Sequence, residues 1–90
     1  MGNSAVKFKI MPESLDTDLE SVKEKVKTTI KEMDGVFDSF EEQPIAFGLK
    51  ALIVTLAYPE SKEVDELGNA FNDVEGISSC EMIDYRRAIG

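Results

Sequence analysis

Histidine is absent from the 90 residues, and cysteine occurs once, at Cys80. The missing histidine removes the side chain that most often titrates or binds metal near neutral pH. A lone cysteine forms no internal disulfide and no paired-thiol metal or redox motif. Cations are scarce: 10 Lys and Arg stand against 18 Asp and Glu, a net charge of −8. A phosphate backbone repels such a chain unless its cations are strongly clustered, so direct nucleic-acid binding is disfavoured. No apolar run approaches the ~20 residues that cross a bilayer. Met1-Gly2-Asn3-Ser4 also lacks the basic-then-apolar layout of a secretory signal. The expectation is a cytoplasmic protein without membrane partner, metal or cofactor. What is present, 42% hydrophobic and 31% charged residues, suits one small globular domain spanning 1–90. A chain this short buries only about two-thirds of its unfolded surface. That allows a core but no deep enclosed active site.

Val6, Phe8 and Ile10 alternate with Lys7 and Lys9, the period-2 pattern of a half-buried strand over Ala5–Met11, with Phe8 inward. Pro12 ends it. Leu19, Val22, Val26, Ile30 and Met33 then form one apolar stripe at helical spacing. The spacing predicts a helix over Asp18–Met33, opened by a Thr17–Glu20 capping box and stopped at Asp34-Gly35. Val36, Phe37 and Phe40 begin a weaker strand toward Gln43, whose acids Asp38, Glu41 and Glu42 suit a sheet edge. Pro44 to Gly48 reads as a bend. The nearly unbroken apolar run Leu49–Tyr58 suits a covered central strand. Val64, Leu67, Phe71 and Val74 make a second helical stripe, with a cap expected at Ser61 and a stop at Gly76. Gly68 within it costs roughly 1 kcal/mol relative to Ala, which suggests close packing on the sheet. A last strand is expected over Ile77–Tyr85, with Cys80, Met82 and Asp84 on one face. The order βαββαβ points to an α+β, ferredoxin-like sandwich: a four-stranded antiparallel sheet with two helices on one face.

Covalent catalysis finds no support, because neither Cys80 nor any serine has a histidine base. Cys80 reads as an inert buried thiol. Glu41-Glu42 falls short of the converging oxygens that a hard cation requires and reads as a solvated edge. Two features stand out. Arg86-Arg87 ends the last strand with rigid, permanently charged forks suited to carboxylate or phosphate, or simply with solubilising charge. In Pro44-Ile45-Ala46-Phe47-Gly48 an aromatic sits between small residues. Phe47 either plugs the end of the core or stands exposed as an anchor for a partner pocket.

At this stretch a resemblance begins. Gln43-Pro44-Ile45-Ala46-Phe47-Gly48-Leu49-Lys50-Ala51-Leu52 is similar to the signature of the exchange domain of elongation factor 1-beta. Eukaryotic members there read Pro, hydrophobic, Gly, aromatic, Gly, hydrophobic, Lys, Lys, Leu. Lys9-Ile10-Met11-Pro12-Glu13-Ser14 followed by Asp18-Leu19 resembles the family's first strand and its Lys-Pro-Trp-Asp loop. Ile83-Asp84-Tyr85-Arg86-Arg87 resembles the archaeal ending. The similarity spans essentially the whole chain. It implies a ferredoxin-like domain that binds elongation factor 1-alpha, a translation GTPase, and speeds GDP release without covalent chemistry. By position, the partner-binding residues it implies are Pro44, Phe47, Gly48, Lys50, Asp84, Arg86 and Arg87, with Pro12 and Glu13 as candidate contacts in the first loop. Phe47 matches the aromatic that docks in a hydrophobic pocket of the GTPase. Eukaryotic members carry a Lys next to last that intrudes on the GTPase Mg²⁺ site. Here that position falls at about Gly90, and no Lys is there.

Other occupants of this topology fit less well. A small-molecule or metal-binding regulatory module is the main alternative, but no Cys/His cluster supports it. An acylphosphatase-like enzyme would need a Gly-rich phosphate loop. A nucleic-acid-binding sheet needs aromatics on its open face, where the alternation puts Lys7 and Lys9.

Overall fold

A computed structural model describes residues 2–87, with Arg87 described through its backbone only. The elements are β1 (Asn3–Pro12), α1 (Leu19–Glu32), β2 (Val36–Pro44), β3 (Lys50–Pro59), α2 (Val64–Asn72) and β4 (Ile77–Arg87), with a 3₁₀ turn at Ala46–Gly48. The strands form one sheet in the order β2-β3-β1-β4. β1 pairs antiparallel with β3 and β4, and β2 pairs antiparallel with β3. This is the ferredoxin-like sandwich that the alternating patterns predict, with β2 at an edge and β3 inside.

Alternation decides what each face does. Val6, Phe8 and Ile10 lie opposite Leu56, Val54 and Leu52, and all six are buried against the helices. Val22, Val26 and Ile30 of α1 and Leu67 and Phe71 of α2 close that core. Phe71 meets Phe8 edge to face, with ring centroids 5.2 Å apart, the geometry that aromatic quadrupoles favour. Tyr58 is also fully buried, and its hydroxyl has no hydrogen-bond partner among the described residues. Burial pushes that phenol above its ordinary range.

Local signals differ from expectation in instructive ways. The N-cap of α1 is Asp18, not Thr17: the Asp18 carboxylate accepts from the backbone N–H groups of Glu20 and Ser21. Starting the helix one residue later makes Glu20 the second helical residue, which cannot reach back to close a capping box. Thr17 Oγ1 instead accepts from Ser14 N–H at 3.1 Å and shapes the preceding loop. At the other end, the left-handed residue is Asp34 (φ 67°), not Gly35. Gly35 N–H donates to Ile30 O at 2.8 Å and Asp34 N–H to Lys31 O at 3.1 Å, the paired bonds of a Schellman stop. Gly35 serves a close approach, since a Cβ there would lie 2.9 Å from Ile30 Cγ2.

α2 starts after Glu63 without a side-chain cap, so Ser61 does not play that part. A Cβ on Gly68 would sit 3.5 Å from Phe8 Cε1. That is ordinary contact, so the space over the sheet does not demand glycine. In β4, Lys7 pairs with Asp84 but Phe8 with Met82, leaving Ile83 as the extra residue of a bulge. Cys80 and Met82 therefore pair with the inward Ile10 and Phe8, whereas Asp84 pairs with the outward Lys7. The bulge overturns the expectation that these three share a face. Cys80 is half-buried rather than buried, and its thiol donates to Gly68 O at 3.2 Å.

Candidate functional site

β2 and β3 meet through the loop Ile45–Leu49, which holds the 3₁₀ turn. Ile45 N–H donates to Leu49 O at 2.8 Å and Leu49 N–H to Ala46 O at 3.3 Å, which pinches the loop shut. Closing it forces two successive residues into left-handed backbone, Phe47 (φ 62°) and Gly48 (φ 78°). Glycine adopts that conformation freely, whereas an L-residue with a Cβ is strained there. The strained residue is also the most exposed of the large hydrophobic side chains described: Phe47 is 91% exposed. A ring so placed contributes nothing to the core, so burial does not offset the strain. Of the two fates open to Phe47 in the sequence, the exposed one holds.

The neighbouring loop adds a second apolar group. Leu15 is 65% exposed, and a Cβ on Gly48 would lie 3.4 Å from its Cδ2. Between the two loops lies a cleft of about 220 Å³ whose lining includes Pro12, Leu15, Leu19, Gly48, Leu49 and Lys50. Sequence reasoning passed over Leu15. The available signal was an apolar residue isolated among Glu13, Ser14 and Asp16.

The other candidate residues divide sharply by position. Pro44 is exposed at the end of β2, opposite Lys50. Lys50 lies 3.7 Å from Glu42, which also accepts from Lys23 at 3.1 Å. The Lys23 hydrogen bond holds the Glu42 carboxyl below its usual range, and the Glu42 bond raises the Lys23 ammonium. Glu42 thus belongs to an ion-pair network rather than to a free acidic edge. Pro12 is buried. Glu13 ties its loop to the start of β4: its N–H donates to Gly76 O at 3.0 Å, and its carboxylate accepts from Gly76 N–H at 3.1 Å.

Asp84, Arg86 and Arg87 stand at the opposite end of the sheet. Arg86 pairs in register with Ala5 and Arg87 with Ser4, and Arg86 Nε lies 3.5 Å from Asp84 Oδ2. Between Ala5 and Ile10 the strand advances about 17 Å at ~3.4 Å per residue. Phe47 lies farther still, beyond Lys50. The aromatic turn and the strand end that carries Arg86 therefore lie at opposite ends of the sheet and are not brought together. Gly90, where the eukaryotic lysine would fall, lies outside the described residues. Among the described residues, no group of three or more His, Cys, Asp or Glu is placed to hold a metal, and no helix is long and apolar enough to cross a membrane.

Taken together, the molecule is a ferredoxin-like α+β domain that displays one ring on a strained turn, with Arg86 at the far end of its sheet. The chain belongs to the family of the EF-1 guanine nucleotide exchange domain, which matches residues 5–87. It is 46% identical over 88 residues to an elongation factor 1-beta of Methanosarcina barkeri, covering 97% of this chain and 99% of that one. It is 41% identical to one from Methanosphaera stadtmanae and 36% to one from Methanothermobacter thermautotrophicus, each over 97% of this chain and 98% of the relative. Among solved structures, the C-terminal domain of MgtC from Mycobacterium tuberculosis superposes with a TM-score of 0.65 at 9% identity. The match covers 97% of this chain and 88% of that one, and at this identity it speaks for the fold alone.

Proposed function

We propose that this chain binds elongation factor 1-alpha and accelerates its release of GDP, acting by binding alone and without covalent chemistry. The observation that carries the reading is Phe47, a ring 91% exposed on left-handed backbone within the stretch that resembles the family signature. A rigid ring held out in advance loses little entropy on docking, which is what an interface anchor requires. Leu15 and Leu49 extend the apolar contact, and Pro44, Gly48 and Lys50 frame it.

Exchange demands more than adhesion. A factor shifts the GTPase toward its empty form only by binding that form more tightly than the loaded one. Phe47 supplies the grip, and Arg86 with Arg87 supplies the discrimination. Their guanidinium charge competes with bound Mg²⁺ for acidic ligands, or engages phosphate, in place of the absent C-terminal lysine. Asp84, paired with Arg86, orients that fork.

Stopped-flow release of fluorescent GDP from elongation factor 1-alpha tests both halves. Phe47→Ala should demand a much higher factor concentration to reach the same rate. Arg86→Ala/Arg87→Ala should lower the maximal rate. If both variants match the parent, the assignment is wrong.

A further inference from the structure

We propose that the free edge of β4 and the groove between β4 and α2 take up an extended, basic segment of another protein by strand addition. The two edges of the sheet are not alike. β2 carries Asp38 and Glu41 and ends in Pro44, features that discourage pairing. β4 carries a single charge, Glu81, between Ile77 and the bulge at Ile83. That stretch offers unpaired backbone groups along its outer side.

Beside this edge run two joined hollows of about 390 and 410 Å³, which share Val64, Asp65 and Met82. Their apolar surface includes Met82, 45% exposed, and Tyr85, 40% exposed. Glu60, Glu63 and Asp65 also line them, and no described Lys or Arg lies within ion-pair distance of any of the three. Lys62 lines the same hollow, but its ammonium is turned to Asp34 at 2.7 Å and Met33 O at 3.2 Å.

Charge selects the occupant. A second copy would bring the same carboxylates to the groove on a chain whose net charge is −8. An added strand with Lys or Arg at every second position fits instead. Its aliphatic stems would lie over Met82 and Tyr85 while the charged heads reach the rim. Backbone bonds to β4 supply affinity, and the alternating side chains supply selectivity. This surface is separate from the Phe47 turn and does not depend on the exchange reading.

Cys80 is the one cysteine of the chain and lines the groove, so its alkylation rate reports occupancy directly. The probes are a blocked peptide of alternating valine and lysine, the same peptide with glutamate for lysine, and the lysine peptide methylated on alternate backbone nitrogens. The lysine peptide should slow Cys80 alkylation and shift the amide signals of Ser78 to Met82 in the full chain, while the other two should do neither. Glu63→Gln/Asp65→Asn should weaken its binding roughly three- to tenfold, as expected for two exposed ion pairs. Absence of protection by the lysine peptide overturns the proposal, as does equal protection by the glutamate or methylated peptide. Protection that tracks the concentration of the chain itself would make the occupant a second copy and overturn it equally.

Discussion

Phe47 places a cost and a proposed use on the same residue. Left-handed backbone is unfavourable for an L-residue by about 1 kcal/mol or more, and the exposed ring recovers none of it through burial. Phe47→Gly should therefore stabilise the fold by about 1 kcal/mol, less some added freedom of the unfolded chain. The same change should raise the factor concentration needed for a given rate of GDP release. Urea unfolding read beside exchange kinetics checks the pair, and a fall in stability would show that the ring packs on something after all. Gly68 is the opposite case, a glycine in ordinary backbone whose absent Cβ would only touch Phe8 at 3.5 Å. Gly68→Ala should raise stability by about 1 kcal/mol through helix propensity. A loss in the same unfolding assay would mean the contact is tighter than van der Waals spacing implies.

At the scale of elements, periodic signals were legible and singular ones were not. The stripe from Leu19 to Ile30 and the alternation around Phe8 repeat often enough to specify helix, strand and buried face. Thr17 and Asp18 are both good caps; Asp18 takes the part, while Thr17 Oγ1 is engaged by Ser14 N–H. An inserted residue such as Ile83 carries no periodic mark, so the reversal of Asp84 was invisible beforehand. The Phe47 turn was visible as an anomaly, but its exposure depended on the Ile45–Leu49 hydrogen bonds. The acids of β2 illustrate the same limit: Glu42 reads as edge charge yet ties the strand to α1 through Lys23. Because that bond depresses the Glu42 pKa in the folded state, its contribution is present above the ordinary glutamate range. It is lost as pH falls through the depressed value. The parent should lose stability over that acid window with a steeper slope than Glu42→Gln. Thermal unfolding across pH decides it, and parallel curves would remove Glu42 from the account.

Across the whole molecule, the separation of the two candidate contacts has a thermodynamic consequence. β1 runs from the Arg86–Arg87 end to the end that carries Leu15 and Phe47, so one partner can touch both only by lying along the sheet. Sites this far apart with no shared side chains contribute independently to binding, with couplings usually within about 0.5 kcal/mol. Phe47→Ala and Arg86→Ala should then weaken binding to nucleotide-free elongation factor 1-alpha by amounts that sum in the double variant. The empty GTPase is the right target, because loss of nucleotide would otherwise mix a conformational change into each value. Titration calorimetry on the four proteins closes the cycle. If the double variant binds no worse than the weaker single one, both residues serve one indivisible step. The long axis of the sheet would then be no part of how the domain engages its GTPase.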